Sequence, residues 1–191
     1  MYLQDQLSAA AETMARVVST VEDGQLGAPT PCHEFDVRRL INHLIAWSPI
    51  IEGVGLRAPL ASGRPDEQTD HMTGDWRAEY LRWIDRSLTA WKPDAAWEGV
   101  ADLGFIQVPA TVIGGKTLCE FVLHGWDLAR ATGQPFDCDP AVAEATLRLV
   151  EETAEETRQH GMFGSAVAVP ETSSALERAL AVSGRNPGWT A

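Results

Sequence analysis

The stretch CEFVLHGWDLARATGQ, residues 119 to 134, constrains the fold more than any other part of the chain. At about 100° per residue, Leu118, Phe121, Val122, Leu123, Trp126 and Leu128 spread around most of a helix. A helix that is apolar nearly all round belongs in a core. Yet Glu120, His124 and Asp127 share the remaining narrow arc, and an isolated carboxylate in a core is very costly unless it is paired or bound to a metal. That arc either faces water or meets something positive.

Other segments supply helices to pack around this one. Leu3, Leu7, Met14, Val17, Val18 and Val21 stand at helical spacing ahead of Gly24 and predict a first helix over about the first 22 residues. Asp36 offers an N-cap to a second helix, from about Val37 toward Ile51, with a bend expected near Pro49. Residues 57–75, RAPLASGRPDEQTDHMTGD, lack apolar periodicity and predict a long loop, a candidate lid. Trp76, Tyr80, Trp83, Ile84, Leu88 and Trp91 predict a third helix stopped by Lys92-Pro93. AWEGVADLGFIQVPATVIGG allows a short hairpin or an extended crossover before the fourth helix, whose start Gly114-Gly115 is expected to interrupt or delay. The fourth helix ends at Thr132-Gly133. A fifth runs from Asp139-Pro140 to His160-Gly161, and a capping box from Ser174 to Glu177 opens a short last helix ending near Gly184. Helices with mostly short joints predict an all-α bundle, a single domain over residues 1–191.

A formal charge of −12 with only 15 Lys and Arg leaves no basic face for phosphates, so nucleic acid is not an expected partner. No apolar run approaches the roughly 18–20 residues that span a bilayer, and MYLQDQLSAAAETMARVV lacks the basic start and apolar block of a signal peptide. A cytoplasmic protein without a membrane partner is expected. Cys32, Cys119 and Cys138 are odd in number and widely separated, which predicts reduced thiols.

Glu120 and His124, four residues apart, serve equally well as a surface pair on a helix. His43, between Leu40 and Trp47, lies on the flank of the second helix's apolar stripe, where it can point into a bundle; a lone histidine there is commonly a packed or surface residue. Together, His43, Glu120 and His124 match the ligand types of an open catalytic zinc site. The residues alone leave solvent face and metal site both open. Asp127 can orient a ligand or bound water, or form a salt bridge with Arg130 or Arg39. Trp47 and Trp126 are candidates for a pocket wall, with plain core packing as the alternative. Cys119 points about 100° away from Glu120, as a buried inert thiol. His33, His71 and His160 read as loop or helix-end residues.

TPCHEFDVRRLINHLIAW, EFVLHGWDLARATGQ and FGSAVAVPETSSALERALAVSGRNPGW together resemble the metal-binding domain of mycothiol-dependent maleylpyruvate isomerases, within the DinB-like superfamily of thiol-using proteins. The resemblance implies a DinB-type four-helix bundle with one divalent ion, usually zinc with nickel as another choice, held by His43, Glu120 and His124. It also implies mycothiol as co-substrate, a small electrophile as its partner, and homodimers as one assembly. The implied activity is thiol S-transfer or isomerisation; the alternatives from other classes are a non-catalytic metal-binding or ligand-sensing protein and a metal-dependent hydrolase. The chain departs from the isomerases in two places. They carry a further C-terminal domain that supplies a catalytic arginine, where this sequence has only a helix, a short segment and a tail after residue 135. Phe35 also stands where relatives often have Trp.

Overall fold

The computed structural model of the chain describes residues 3–60 and 63–191; Met1, Tyr2 and, within the expected loop, Ala61 and Ser62 lie outside the described residues. The helices are α1 (Leu3–Ser19), α2 (Val37–Gly55), α3 (Trp76–Trp91), α4 (Ala110–Ala131), α5 (Pro140–Gln159) and α6 (Ala175–Val182). The starts of α2, α3, α5 and α6 are set by side chains that accept otherwise unpartnered backbone N–H groups. Asp36 accepts from Arg39 at 2.8 Å, Asp75 from Ala78 at 3.1 Å and Asp139 from Ala141 at 2.8 Å. Ser174 and Glu177 cap α6 reciprocally. Of the two options before α4, a hairpin forms: β1 (Val100–Asp102) pairs antiparallel with β2 (Gln107–Pro109), placing Ala101 opposite Val108.

α1 to α4 close into a four-helix bundle in which α1 and α2 each pack against both α3 and α4. α5 lies against α4 and α1, and α6 packs on α5. The apolar faces meet in one core through Leu7, Met14, Leu40, Ile41, Tyr80, Trp91, Leu118 and Phe121, all fully buried. Leu123, Trp126, Val150 and Leu180 form a second cluster that ties α4 to α5 and α6. Covered from both sides, α4 is buried over most of its length, as its near-continuous apolar surface requires. Among the described residues, no helix is long and apolar enough to cross a membrane.

Two local expectations are corrected by packing. α2 continues through Pro49 to Gly55 instead of stopping near Ile51. Proline removes one helical hydrogen bond, but α3 grips this stretch: Trp83 Nε1 donates to the Ser48 carbonyl at 2.7 Å and Trp91 Nε1 to the Ile51 carbonyl at 2.9 Å. Gly114 and Gly115 neither interrupt nor delay α4; they lie inside it. Their missing side chains admit neighbours, since a Cβ on Gly114 would stand 2.3 Å from the Trp97 ring and one on Gly115 3.2 Å from Leu149. Gly114→Ala is therefore expected to cost about 1–3 kcal/mol through a forced shift of Trp97. Urea denaturation should show a lower midpoint at unchanged slope; a wild-type midpoint would contradict the close approach of α4 to Trp97.

Candidate metal centre between α2 and α4

α2 delivers His43, and α4 delivers Glu120 and His124 one turn apart. Nε2 of His43 lies 3.4 Å from Glu120 Oε2, and Nε2 of His124 lies 3.3 Å from the same oxygen. All three donor atoms fall within 4.8 Å of one another. Charge-assisted hydrogen bonds are shorter, about 2.7–2.9 Å. Ligand atoms placed about 2.0–2.1 Å from a tetrahedral ion stand roughly 3.3–3.4 Å apart. Two of the three donor spacings therefore match those of ligands around a tetrahedral ion, which makes the cluster a candidate metal site.

Each histidine is backed by a carboxylate. Asp127 Oδ2 lies 2.9 Å from His124 Nδ1, and Glu67 Oε2 lies 2.9 Å from His43 Nδ1. An ionised carboxylate can only accept, so with an ion bound each Nδ1 would donate to its carboxylate and each Nε2 would offer its lone pair to the ion beside Glu120. Glu67 comes from the loop between α2 and α3 and also accepts from Trp47 Nε1 at 2.8 Å. α2 side chains hold that loop in place. Asn42 Nδ2 donates to the carbonyls of Glu67 and Thr69, both at 3.0 Å, its Oδ1 accepts from His71 N at 2.7 Å, and Arg38 pairs with Asp70 at 2.6 Å.

Asp127 has no exposed surface. Its salt-bridge partner is neither Arg130 nor Arg39 but Arg185, whose Nε lies 2.9 Å from Oδ1 and whose Nη2 lies 2.8 Å from Oδ2. Arg130 instead sits over the Trp126 ring and donates to the Trp189 carbonyl. Asp127 thus contacts His124 and carries an ion pair with Arg185.

The electrostatics favour a positive occupant. Desolvation alone would lower the His43 pKa, but hydrogen bonds to Glu120 and Glu67 and their charges push it up to about 10. Desolvation would raise Glu120, yet His124 and His43 hold it down at about 2. Burial likewise works against ionised Asp127, and Arg185 and His124 outweigh it, leaving the carboxyl below its ordinary value. The Glu120 side chain remains 37 % exposed, so the cluster opens to solvent on that side.

Phe35 and Trp47 flank the donors: between ring centroids, His43 lies 5.3 Å from Phe35 and 6.4 Å from Trp47. Trp126 packs in the second core cluster, about 200° around α4 from His124, so it takes its core-packing alternative. Cys32, Cys119 and Cys138 are free and partly buried. Burial pushes Cys32 and Cys138 up to about 11 and Cys119 up to about 12. Sequence reasoning missed Glu67 and Arg185. Glu67 sits in a loop without periodicity. Arg185 follows Gly184, whose position just past α6 is a stop signal but names no target for the next side chain.

Fold and site together define a helical-bundle protein with a His-Glu-His donor cluster between two of its helices. A family model described as the mycothiol maleylpyruvate isomerase N-terminal domain matches residues 7–129, and the chain belongs to that family. Two uncharacterized proteins of Mycobacterium tuberculosis, Rv0738 and MT0763, are each 31 % identical to it over 141 residues, covering 72 % of this chain and 71 % of theirs. The crystal structure of a mycothiol-dependent maleylpyruvate isomerase is similar with a TM-score of 0.58, and that of a histidine-to-alanine variant with 0.61. Each likeness covers 91 % of this chain and 78 % of the isomerase at 18 % identity, and establishes a shared fold.

A carboxylate whose folded pKa is depressed adds stability that is full above its ordinary value, 3.8 for Asp127, and is lost as pH falls through the folded value. Asp127→Asn leaves Arg185 buried without a counter-charge and is expected to cost about 3–5 kcal/mol near neutral pH. The gap to wild type should narrow below about pH 4. Denaturation midpoints at neutral and acid pH check this, and an equal gap at both would exclude Asp127 as the titrating partner.

Proposed function

We propose that the chain is a divalent-metal enzyme, with zinc as the ion, that uses a small-molecule thiol in an isomerase-like or S-transfer reaction on a small electrophile. The observation that carries this reading is the convergence of His43 Nε2, Glu120 Oε2 and His124 Nε2 on one point, with each imidazole's other nitrogen backed by a carboxylate. His43, Glu120 and His124 would hold the ion, which when bound would supply Lewis acidity that favours the thiolate form of a thiol near neutral pH. Glu67 and Asp127 hold the two rings so that both Nε2 atoms stay aimed at that point. Phe35 and Trp47 narrow the approach and shield it from water.

The nucleophile comes from outside the chain. Thiolates, not thiols, attack electrophiles, and burial keeps all three cysteines protonated at neutral pH. That supports a diffusible thiol, and membership of the mycothiol maleylpyruvate isomerase family supports mycothiol as its identity. The reading takes residues 1–191 as one domain working in the cytoplasm, alone or as a homodimer.

Elemental analysis of purified protein should find near-stoichiometric metal, strongly reduced in His43→Ala and Glu120→Ala; unchanged content in both variants would sink the site. Glu67→Gln should weaken zinc binding by about 10–100-fold while leaving all three ligands in place. For the reaction, holo-protein incubated with mycothiol and a panel of electrophiles should yield metal-dependent conjugates or isomers by mass spectrometry. A panel without any such product would favour the non-catalytic binder.

A further inference from the structure

Arg185 lies beyond the residues matched by the family model, yet it reaches the back of the metal centre. It is 5 % exposed, and every polar contact of its guanidinium is with the site or its support. Nε lies 2.9 Å from Asp127 Oδ1 and 3.0 Å from Oδ2, Nη2 lies 2.8 Å from Oδ2 and 3.3 Å from His124 Nδ1, and Nη1 donates to Ser183 Oγ at 3.1 Å. Local backbone geometry delivers it there. Past α6, Gly184 takes a left-handed conformation with φ of +87°, its N–H bonds the Ala181 carbonyl at 3.1 Å, and Arg185 N bonds the Leu180 carbonyl at 2.9 Å. This Schellman pattern turns the chain sharply and sends the next side chain inward. Only glycine fits at the turn, because a Cβ on Gly184 would stand 2.7 Å from the Gly164 backbone.

We propose that Arg185 is a positioning residue for the metal centre: its fork locks the Asp127 carboxylate so that His124 holds its proton on Nδ1 and presents Nε2 as the ligand atom. The proposal rests on the metal site assigned to His43, Glu120 and His124. Two neighbours compete for His124 Nδ1, and they demand opposite tautomers. Asp127 Oδ2 at 2.9 Å accepts a proton from Nδ1, whereas Arg185 Nη2 at 3.3 Å would donate one to it and leave Nε2 protonated and unable to ligate. The bidentate grip resolves the competition. It commits Nη2 to Oδ2 and stops the carboxylate from rotating away, so the shorter contact decides the tautomer. Lysine, a point charge without the fork, cannot hold both oxygens in one plane.

The test compares wild type, Arg185→Met, Arg185→Lys, the double variant Arg185→Met with Asp127→Asn, and Glu120→Gln. Long-range proton–nitrogen NMR of labelled imidazoles on metal-free protein reads the His124 tautomer, and competition with a chromophoric chelator reads affinity for the zinc ion itself. Wild type should show the Nδ1–H form. Arg185→Met should lose it or mix it with the other and weaken zinc binding by about 10–100-fold, with Arg185→Lys recovering only part. The double variant removes both buried charges, so it stays foldable even where Arg185→Met alone does not; it too should lose the preference and the affinity. A wild-type tautomer and wild-type affinity in either folded Met variant would overturn the proposal. A different result, wild type and Glu120→Gln binding zinc equally weakly, would instead overturn the metal site beneath it.

Discussion

The ion pair between Asp127 and Arg185 is the interaction on which the rest of this molecule depends. α4 is wrapped by α1 and α2 on one side and by α5, with α6 beyond it, on the other, and Asp127 sits where that wrapping leaves no water. A bare carboxylate there would oppose burial of the whole helix. The guanidinium supplied from beyond α6 removes that obstacle, and the same carboxylate then orients His124. Core formation and site geometry thus share one charged contact, which is why the most buried helix can also carry two of the donors.

Much of this was legible in the sequence because it is local. Helical periodicity marked α1, α3 and α4, and the start signals at Asp36, Asp139 and Ser174 marked α2, α5 and α6, each a cap in the structure. The polar arc of α4 stood out against an apolar background, and the resemblance to a known family turned it toward His43. Tertiary contacts were not legible. Ile51 read as the end of α2 and Gly114-Gly115 as a break in α4, whereas Trp83 and Trp91 pack along the continued helix and Trp97 onto Gly114. Periodicity cannot tell a pocket wall from a core, so Trp47 and Trp126 looked alike, although one meets Glu67 and the other meets α5 and α6. Glu67 and Arg185 belong to irregular segments whose partners are 24 and 58 residues away, and no spacing rule reaches that far.

Negative charge is concentrated around the donors by design of the fold rather than by the chain's overall acidity. Two carboxylates from different elements face His43, one from α4 and one from the loop after α2. Both push the His43 pKa up, as a place suited to positive charge does. The loop contributes more than a cover: Asn42 and Arg38 pin its backbone and its Asp70, so Glu67 arrives with its direction already set. Preorganisation of this kind leaves less entropy to lose when an ion binds.

The distance along the chain between Asp127 and Arg185 has a consequence for how the protein is made. Translation delivers the carboxylate 58 residues ahead of its counter-charge. At about 5–20 residues per second, that leaves Asp127 unpaired on the ribosome for roughly 3–12 s. During that interval the first four helices are present, but burying the polar face of α4 is opposed by an uncompensated charge. Full burial of that face is therefore favourable only once the segment after α6 brings the counter-charge.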